Sequence, residues 1–444
     1  MSTAVSDKLA TLLARSGKFI PGGVSSANRI IDPAIAFERG QGAYLWDIDG
    51  KRYIDYHAGF APYLLGHNFA PVNQAAAEAL AGSQSLFGAG PSVSEGKLAE
   101  LICQHVAAVE KVTLLNTGSE ATSLAVKLSR AYTGRQHFIM MQGSYNGNHD
   151  ELACNVFNTV EQIGPRTSPG EYPLRPLGAG TVVQTTAFAH PVNFNDLDSV
   201  RAVCKRYPIA ALITEPVLQN IGVVRPQPGY LEGLRALADE LGFVLIFDEV
   251  KTGFRHALGG YSEVSGVKPD LVVYGKAIAN GFPLAVVGGQ RKFMDQLNHP
   301  DPTQRPFVAG TYNGHPVTVA AAIRTVQYLV EHKNSLYAGL EALGQRLQAG
   351  MESLFAKHGL EATVARQGSA LSFYFMAHAP RDLHDIIEHH DFAKDLLLRR
   401  ALIERGVFFV PVATKQCSIS TAHTAEDIDF TLAQMDAALG ALAA

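Results

Sequence analysis

The chain has 444 residues, of which 47% are hydrophobic and 18% are charged, and its formal net charge is −4. This composition is typical of a globular protein with room for one large and one smaller domain. No block of Lys or Arg stands out, so neither a nucleic acid nor a membrane surface is expected as a partner.

The cysteine spacing indicates whether a metal site is expected, and the first residues indicate the cellular location. Cys103, Cys154, Cys204 and Cys417 lack CxxC or Cys/His spacing, so neither a disulfide framework nor a metal site is expected. The first residues, MSTAVSDKLATLLARSG, predict an amphipathic helix without the apolar core and cleavage site of a signal peptide. No apolar run is long enough to span a bilayer. A cytoplasmic location is therefore expected.

The pattern of apolar residues predicts an α/β fold. GAYLWDIDGKRYIDYHAG predicts a hairpin, with two apolar-aromatic runs around Asp49-Gly50. Short apolar runs then predict strands that are buried on both faces of a mostly parallel sheet. These runs are VTLLN (112–116), HFIMM (137–141), TVVQT (181–185), AALIT (210–214), FVLIF (243–247), LVVY (271–274) and LAVVGG (284–289). Stripes with helical spacing between some of them, at 121–128 and 231–241, favour a doubly wound arrangement.

The pattern changes after about residue 315. It predicts a long helical stretch from Val317 to about Phe355, a strand at LSFYFMA and a helix around Asp391 to Arg405. The runs VFFVP and CSIST and a final helix complete a smaller α+β domain.

The motif NTGSEA, Asn116 to Ala121, lies where a predicted strand gives way to a helix. Free N–H groups at a helix N-terminus favour a phosphate. The same residues also suit a plain helix cap. The motif is neither GxxxxGK[ST] nor GxGxxG, which disfavours a P-loop and a Rossmann dinucleotide site.

Two charged residues follow predicted strands. Asp248, in FDEV, lies at the edge where open α/β sheets bind ligands, although it could be a structural acid at a helix start. Lys276 follows 28 positions later, which fits strand, helix, strand. Lysine at a partly dry edge is a nucleophile for carbonyls, although most lysines are surface residues. A phosphate cradle, a carboxylate and a Schiff-base lysine together indicate pyridoxal 5'-phosphate. Gly275 and Gly281 are expected to leave room for the cofactor.

Seven motifs together resemble the class III aminotransferases, which are fold-type I pyridoxal phosphate enzymes, and most closely their glutamate-1-semialdehyde 2,1-aminomutase-like branch. They are NTGSEAT, SYNGNHD, EPVLQN, FDEVKTGFR, GKAIANGFPLAVVGG, GTYNGHP and STAHTAEDID, and the resemblance runs from about Pro21 to the C-terminus. It implies a mostly parallel central sheet covered by helices, with a smaller α+β domain built from both ends of the chain. The expected parts are 1–70, with dimer contacts, 71–315, the large cofactor-binding domain, and 316–444, the C-terminal small domain.

The resemblance implies how the cofactor ring is held. Lys276 matches the lysine that forms the Schiff base and then moves a proton as general acid and base. Asp248 matches the acid that keeps the pyridine nitrogen protonated. Val250 and Tyr145 match the residues on the two faces of the ring, although Tyr145 could also be a core tyrosine.

The resemblance also implies the phosphate contacts and an assembly. Gly118 and Ser119 match the phosphate loop. Thr311 matches a threonine that reaches the phosphate from the neighbouring subunit, which implies a homodimer with Thr311 contributed across the interface. Asn220 matches a residue near cofactor and substrate, and Glu215 matches an acid that orders the site or is structural.

Substrate recognition is carried by fewer residues. Arg29 matches an arginine that holds the substrate carboxylate, or it forms a surface ion pair. Two positions depart from the pattern: Asn146 replaces the histidine of Tyr-His-Gly, and Lys415 replaces a glutamate of the aminomutases. Lys415 is then either a second carboxylate-binding cation or a solvated loop lysine. An aromatic group could line a pocket or belong to core and interface packing: His57, Phe60, Tyr63 and Phe87.

These residues lead us to expect an enzyme, a pyridoxal phosphate-dependent transaminase. Its small-molecule partners would be an amino donor, either a carboxylate-bearing amino acid (β-amino or aryl) or an amine, and a keto acid acceptor, in a ping-pong mechanism. The alternatives are an intramolecular aminomutase of the glutamate-1-semialdehyde type and an amino acid racemase or epimerase, neither of which needs an acceptor. A nucleotide-dependent oxidoreductase is disfavoured by the missing GxGxxG. A non-catalytic relative is disfavoured because lysine, aspartate and phosphate loop are all retained.

Overall fold

The strands of the protein form three sheets. The computed structural model describes residues 6–82 and 84–443. The strands in this part of the chain are β1 (Phe37–Gln41), β2 (Tyr44–Asp47), β3 (Arg52–Asp55), β4 (Lys111–Leu115), β5 (His137–Met141), β6 (Ala189–Val192), β7 (Ile209–Thr214), β8 (Val244–Asp248), β9 (Leu271–Tyr274), β10 (Ala285–Gly289), β11 (Thr363–Gln367), β12 (Ala370–Tyr374), β13 (Val407–Phe408) and β14 (Cys417–Ser418).

Helices connect and cover these sheets. They are α1 (Asp7–Gly17), α2 (Ala70–Ala81), α3 (Val93–His105), α4 (Gly118–Thr133), α5 (Val160–Ile163), α6 (Val183–Thr186), α7 (Leu197–Arg206), α8 (Tyr230–Leu241), α9 (Tyr261–Ser265), α10 (Arg291–Met294), α11 (Pro316–Glu331), α12 (Lys333–Lys357), α13 (Leu383–His389), α14 (Phe392–Glu404) and α15 (Ala425–Ala443). None of the helices in the described part of the chain has the length and apolar character that crossing a membrane requires.

The largest sheet has seven strands in the order β4-β10-β9-β8-β7-β5-β6. β10 runs antiparallel to both of its neighbours, and the other neighbouring pairs are parallel. Every residue of β7, β8 and β9 is buried, as expected for strands covered on both faces. The predicted mostly parallel α/β sheet is confirmed.

Helix α4 shows how local sequence fixes an element at the edge of this sheet. Thr117 Oγ1 accepts a hydrogen bond from the N–H of Glu120, and the Glu120 carboxylate accepts one from the N–H of Thr117, which forms a capping box. The helix ends at Gly134, whose φ of 67° suits glycine. Its predicted stripe, Ala121 to Leu128, packs into the core.

The two ends of the chain meet in a second sheet with the order β1-β2-β3-β13. β2 and β3 form the predicted hairpin, and Tyr44 pairs with Ile54. The C-terminal β13 joins this hairpin in parallel, because Val407 pairs with Ile54. β11, β12 and β14 form the third sheet. The boundaries expected at residues 70 and 315 stay a prediction.

Two predictions about elements are wrong. The run TVVQT does not form a strand; residues Val183–Thr186 form the short helix α6, and the strand is Ala189–Val192. β6 contains Pro191, which is tolerated because this strand is at the edge of its sheet. The long helical stretch is also interrupted, since α11 and α12 meet at His332.

Candidate active site

A cavity of about 290 Å³, here called the edge cavity, opens at the carboxyl edge of the large sheet. Parallel strands all end at this edge, so residues that are distant in sequence meet there. The predicted residues that line the cavity are Gly118, Ser119, Tyr145, Glu215, Asn220, Asp248, Val250 and Lys276. Pro62, Asn116, Thr122, Asn146, Gly147, Lys251, Gly275, Gly281, Phe282, Pro283 and Leu284 also line it.

Asp248 is a buried carboxylate at the end of β8. Its Oδ2 accepts a hydrogen bond from Asn146 Nδ2 at 2.8 Å, and its Oδ1 accepts one from the N–H of Val250 at 3.0 Å. Burial and the nearby charge of Glu215 raise the pKa of Asp248 to about 7. A carboxylate in this state favours a cationic partner in the cavity.

Lys276 follows β9 by two residues and is partly buried. Asp248 pairs with Val273 across β8 and β9, so the two side chains share one edge of the sheet. Burial lowers the pKa of Lys276, and the charges of Asp248 and Glu215 oppose that effect. Its backbone has φ of 49°, an uncommon value for a side chain of this size. No other described residue gives its ammonium a hydrogen-bond acceptor or an ion pair, so the amine is available for chemistry.

Glu215, directly after β7, organises the cavity floor. Its Oε1 accepts hydrogen bonds from Ser144 Oγ at 3.2 Å, from the N–H of Tyr145 at 2.9 Å and from Asn220 Nδ2 at 2.9 Å. Its Oε2 accepts one from the N–H of Gln219 at 2.9 Å. The Glu215 carboxylate is therefore satisfied by its own loop and by the loop after β5, and it fixes the position of Tyr145.

The first turn of α4 forms one end of the cavity. Ser119 Oγ accepts a hydrogen bond from the N–H of Asn148 at 2.8 Å, which ties the turn to the loop after β5. The two segments approach so closely at Gly147 that a Cβ there would lie 2.8 Å from Ser119 Cα, and its φ is 115°. Gly118 and Ser119 thus present a compact cradle at a helix N-terminus, as an anionic group requires.

Sequence reasoning missed Lys251 and undervalued Asn146. Lys251 is buried, lines the cavity and donates from Nζ to Gln219 O at 2.6 Å and Gln416 Oε1 at 3.2 Å. Burial and the charges of two other lysines, Lys415 and Lys276, lower its pKa well below the usual range. The only signal for Lys251 was its place next to FDEV. For Asn146, the signal was the altered Tyr-His-Gly triplet.

Lys415, the other departure from the expected pattern, is buried beside the cavity and not solvated. Its Nζ lies 3.4 Å from the carbonyl oxygen of Asn220, which lines the cavity. Burial, reinforced by the charge of Lys276, lowers the pKa of Lys415 to about 8. The expectation of a solvated loop lysine is therefore wrong, because the loop between β13 and β14 packs against the sheet edge.

Two predicted residues do not line the edge cavity. Thr311 is exposed, although Asn313 of the same segment accepts a hydrogen bond from the cavity-lining Asn116. Arg29 is exposed in a short helical turn, Ala27–Arg29, and has no ion pair within the described residues. Gly275 and Gly281 do line the cavity, but a Cβ on Gly281 would meet the ring of Tyr63 at 2.4 Å.

The four predicted aromatic residues separate in space. The rings of His57 and Phe60 are 4.1 Å apart, and Phe60 faces Lys415 Nζ at 5.7 Å. Tyr63 packs on His67 and against Gly281. Phe87 is exposed and lines a different cavity, between α2, α3 and α11. They do not form a single aromatic pocket.

One group of metal-ligating side chains lies apart from the edge cavity. His378, Asp385 and His389 bring ligand atoms within 4.8 Å of one another. Asp385 already accepts a hydrogen bond from the N–H of Arg381 at 2.9 Å. None of these residues lines the edge cavity.

The chain resembles known sequences over nearly its whole length. The profile of the class-III aminotransferases matches residues 25–439. A glutamate-1-semialdehyde 2,1-aminomutase from Desulforudis audaxviator (strain MP104C) is 39% identical over 431 residues, which cover 95% of this chain and 95% of that protein.

Solved structures with this fold include both transaminases and aminomutases. An omega-transaminase from Sphaerobacter thermophilus superposes with a TM-score of 0.87 at 30% identity and covers 97% of each chain. A glutamate-1-semialdehyde aminomutase from Pseudomonas aeruginosa PAO1 in complex with PMP has a TM-score of 0.87 at 25% identity and covers 98% of this chain and 95% of that one. Both likenesses span nearly the whole chain.

Proposed function

Because the chain belongs to the class-III aminotransferase family, we propose that it moves amino groups on small carboxylate-bearing molecules, with Lys276 as the acid-base group. Its cofactor is pyridoxal 5'-phosphate, and it is an enzyme of fold type I. The observation that carries the proposal is the meeting of Lys276 and Asp248 at one sheet edge, above a helix N-terminus.

The residues of the edge cavity fit this cofactor. Gly147 leaves no space for a side chain against Ser119, so the cradle at the α4 N-terminus suits a phosphate group. Asp248 is a buried acid that lacks a cationic partner within ion-pair distance in the described part of the chain, and it suits a protonated ring nitrogen. Tyr145 and Val250 line the space between them and would hold the ring. When bound, the cofactor supplies a carbonyl carbon that takes up an amine and a ring that accepts electrons.

Lys276 would hold the cofactor through Nζ and would move a proton at the substrate carbon that carries the amine. Its lowered pKa supports this role, because a partly neutral amine can accept a proton near neutral pH. Asp248 holds a proton near the ring, and Asn146 orients its carboxylate through the bond to Oδ2. Glu215 holds the Tyr145 loop in position.

Two reactions use this arrangement, and the first is an intramolecular aminomutase reaction of the glutamate-1-semialdehyde type. It is favoured by the 39% identical aminomutase, with further relatives of that name at 36% and 37% identity. The sequence led us to rank transamination first, and the comparisons support that reading only at the level of the family.

The second reaction is transamination from a carboxylate-bearing amino acid to a keto acid. A specific observation favours it: buried Lys415 stands where the aminomutase pattern has a glutamate, which reverses a charge beside the cavity. A related omega-transaminase at 30% identity also supports it.

We also propose a homodimer in which Thr311 of one subunit reaches the phosphate of the other. Thr311 is exposed and does not line its own cavity. It lies among large exposed apolar side chains, since Phe307 is 79% and Tyr312 is 62% exposed. Such a patch is typical of a protein interface. Arg29 remains a proposed carboxylate ligand.

The test is a visible spectrum and a borohydride reduction of the protein, followed by an acceptor assay. We expect a chromophore that reduction abolishes, with the added mass on Lys276. An aminomutase turns over glutamate-1-semialdehyde without a keto acid, whereas a transaminase requires pyruvate or 2-oxoglutarate. A protein that takes up no cofactor would overturn the proposal, and the acceptor requirement decides between the two reactions.

A further inference from the structure

We propose that Lys415 forms a carboxylate-binding subsite beside the edge cavity, in which its ammonium pairs with a carboxylate of the substrate. This inference rests on the proposed function and narrows the substrate to acids whose carboxylate reaches the loop between β13 and β14. It adds a buried lysine to the exposed Arg29 as a group that would bind the substrate carboxylate.

The ammonium of Lys415 is surrounded by aromatic rings and has one weak hydrogen-bond acceptor. The side chain lies between the rings of Phe60 and Phe157, whose centroids are 5.7 and 5.2 Å from Nζ. Its one hydrogen bond to a described residue is the 3.4 Å contact with Asn220 O. The residue as a whole is only 7% exposed. Two aromatic faces offset part of the cost of burying the charge, but they do not neutralise it.

Other buried cations of the described chain are much better satisfied. Arg399 is paired with Asp395 at 2.5 Å. Arg255 donates three hydrogen bonds, at 2.6 to 3.2 Å. Lys251 donates two, the shorter at 2.6 Å. Arg255 Nε and Arg399 Nη2 lack a hydrogen-bond partner among the described residues, but both guanidinium groups are held by their other nitrogens. Lys415 has a single hydrogen bond at 3.4 Å and no ion pair within the described residues, so its charge has the weakest partner of the four.

The nearby acids do not compensate this charge. The negative charge of Glu215 opposes the lowering of the pKa of Lys415, but the Glu215 oxygens already accept hydrogen bonds from two groups of its own loop and two of the loop after β5. Asp248 is held by Asn146 and Val250 and faces the position of the cofactor ring. A buried charge without a partner destabilises the folded protein. An anion delivered from the cavity removes this cost.

Asn220 connects the cavity to Lys415, because it lines the cavity and its carbonyl oxygen accepts the 3.4 Å hydrogen bond from Lys415 Nζ. A substrate whose amine lies at Lys276 would therefore place its carboxylate on this side. The Phe60 and Phe157 rings favour methylene or aromatic groups between amine and carboxylate. The chemical class that fits is an ω-carboxylate, an acid whose carboxylate is separated from the reacting carbon.

The test is binding of glutarate, a dicarboxylate without an amine, to the cofactor-loaded protein by isothermal titration calorimetry. We expect Lys415→Met to raise the Kd of glutarate at least tenfold and Lys415→Arg to restore most of the affinity. With carboxylate-bearing amino donors, Lys415→Met should raise KM with little change in kcat, because binding energy is lost without loss of the acid-base group. A Kd that is unchanged in Lys415→Met, or no glutarate binding by the unaltered protein, would overturn the inference.

Thermal unfolding separates a binding lysine from a structural one. Without glutarate, Lys415→Met should melt at or above the temperature of the unaltered protein, because it removes an unpaired buried charge. Glutarate should raise the melting temperature of the unaltered protein and leave that of the variant unchanged. A variant that melts well below the unaltered protein would mark Lys415 as a structural residue and contradict the inference.

The matched control is Lys357→Met, which removes an exposed lysine paired with Asp436. It should leave the Kd of glutarate unchanged. If the protein takes up no cofactor but glutarate binding still depends on Lys415, only the proposed function fails. If the cofactor is taken up and the Kd of glutarate is the same in Lys415→Met as in the unaltered protein, only this inference fails.

Discussion

The strand-end wall of the edge cavity and the C-terminal loop beside this cavity differ in how their charges are satisfied. In the strand-end wall, the acids Asp248 and Glu215 accept hydrogen bonds from their own loops and from the loop after β5. In the C-terminal loop, between β13 and β14, the Lys415 ammonium has one long hydrogen bond. The strand-end wall is organised before anything binds, as a reacting site requires, and the C-terminal loop is completed by its ligand.

The strand-end wall also contains a group in an unfavourable environment. Asp248 is held where its ionised form is disfavoured, since burial and Glu215 raise its pKa to about 7. Such strain is common where a fold prepares a group for chemistry, because the group is positioned for the bound state. Substitutions in the strand-end wall and at Lys415 should therefore differ in size and in the kinetic constant that they change.

The largest effect is expected in the strand-end wall, at Lys276. Lys276→Ala should lower turnover by about 1,000-fold or more, because it removes the group that moves the proton. The measurement is steady-state turnover together with the mass of the borohydride-reduced protein, which should show no added cofactor at this position. Turnover within tenfold of the unaltered enzyme would contradict the assignment.

Asp248→Asn should lower kcat about 100-fold, because an amide cannot hold the proton that Asp248 shares with the ring. The substitution is nearly isosteric, so the fold should persist. Asn146→Ala is the companion variant, and it should reduce kcat less because it leaves the Asp248 carboxylate in place and removes only one of the two hydrogen bonds to it, the 2.8 Å bond to Oδ2. Equal losses in both variants would mean that orientation, not charge, is the contribution of Asp248.

The same residue predicts a pH dependence of stability in the cofactor-free protein. The folded pKa of Asp248 is raised from 3.8 to about 7, so the folded state keeps a proton that the unfolded state has released between these values. The contribution of Asp248 to the free energy of unfolding is therefore fully present at low pH. It falls by up to about 4 kcal/mol as pH rises from 3.8 to about 7. Urea unfolding on both sides of the window should show this loss, and Asp248→Asn should abolish it. A variant with the same pH slope would contradict the shift.

Two glycines distinguish the effect of a close contact with a neighbouring segment from the effect of backbone strain alone. Gly147 and Gly180 have φ of 115° and 93°, but only at Gly147 would a Cβ meet another atom within 4 Å. Gly147→Ala should weaken cofactor binding roughly tenfold and destabilise the fold by about 1–3 kcal/mol more than Gly180→Ala. Absorbance titration with the cofactor and thermal unfolding measure both. Equal effects of the two variants would show that the cradle tolerates a side chain.

The smallest effect is expected at Arg29. The residue is exposed, so Arg29→Ala should raise the KM of carboxylate-bearing donors by less than about threefold. Comparing this rise in KM with the rise caused by Lys415→Met then shows which of the two cations contributes more to carboxylate binding. A larger rise for Arg29→Ala than for Lys415→Met would return the carboxylate site to the N-terminal segment, and an unchanged KM would remove Arg29 from the site.

The sequence alone determined the residues of the strand-end wall. An apolar run is a local signal, and the residue that follows it lies at the sheet edge whatever the rest of the chain does. Asp248 and Lys276 each follow such a run, and β8 and β9 are neighbours in the sheet. For the same reason, the N-terminus of α4 was predicted from its capping residues.

Only the tertiary structure determined that Lys415 is buried beside the cavity. Lys415 lies in an irregular loop with no periodicity, and its burial depends on how the C-terminal segment packs against an edge built far earlier in the chain. The strand at Ala189–Val192 was missed for a similar reason, because the place of Pro191 at an edge is a property of the whole sheet. Local patterns fix which residues end a strand, whereas the burial of a loop charge is fixed by long-range packing, which no short stretch of sequence encodes.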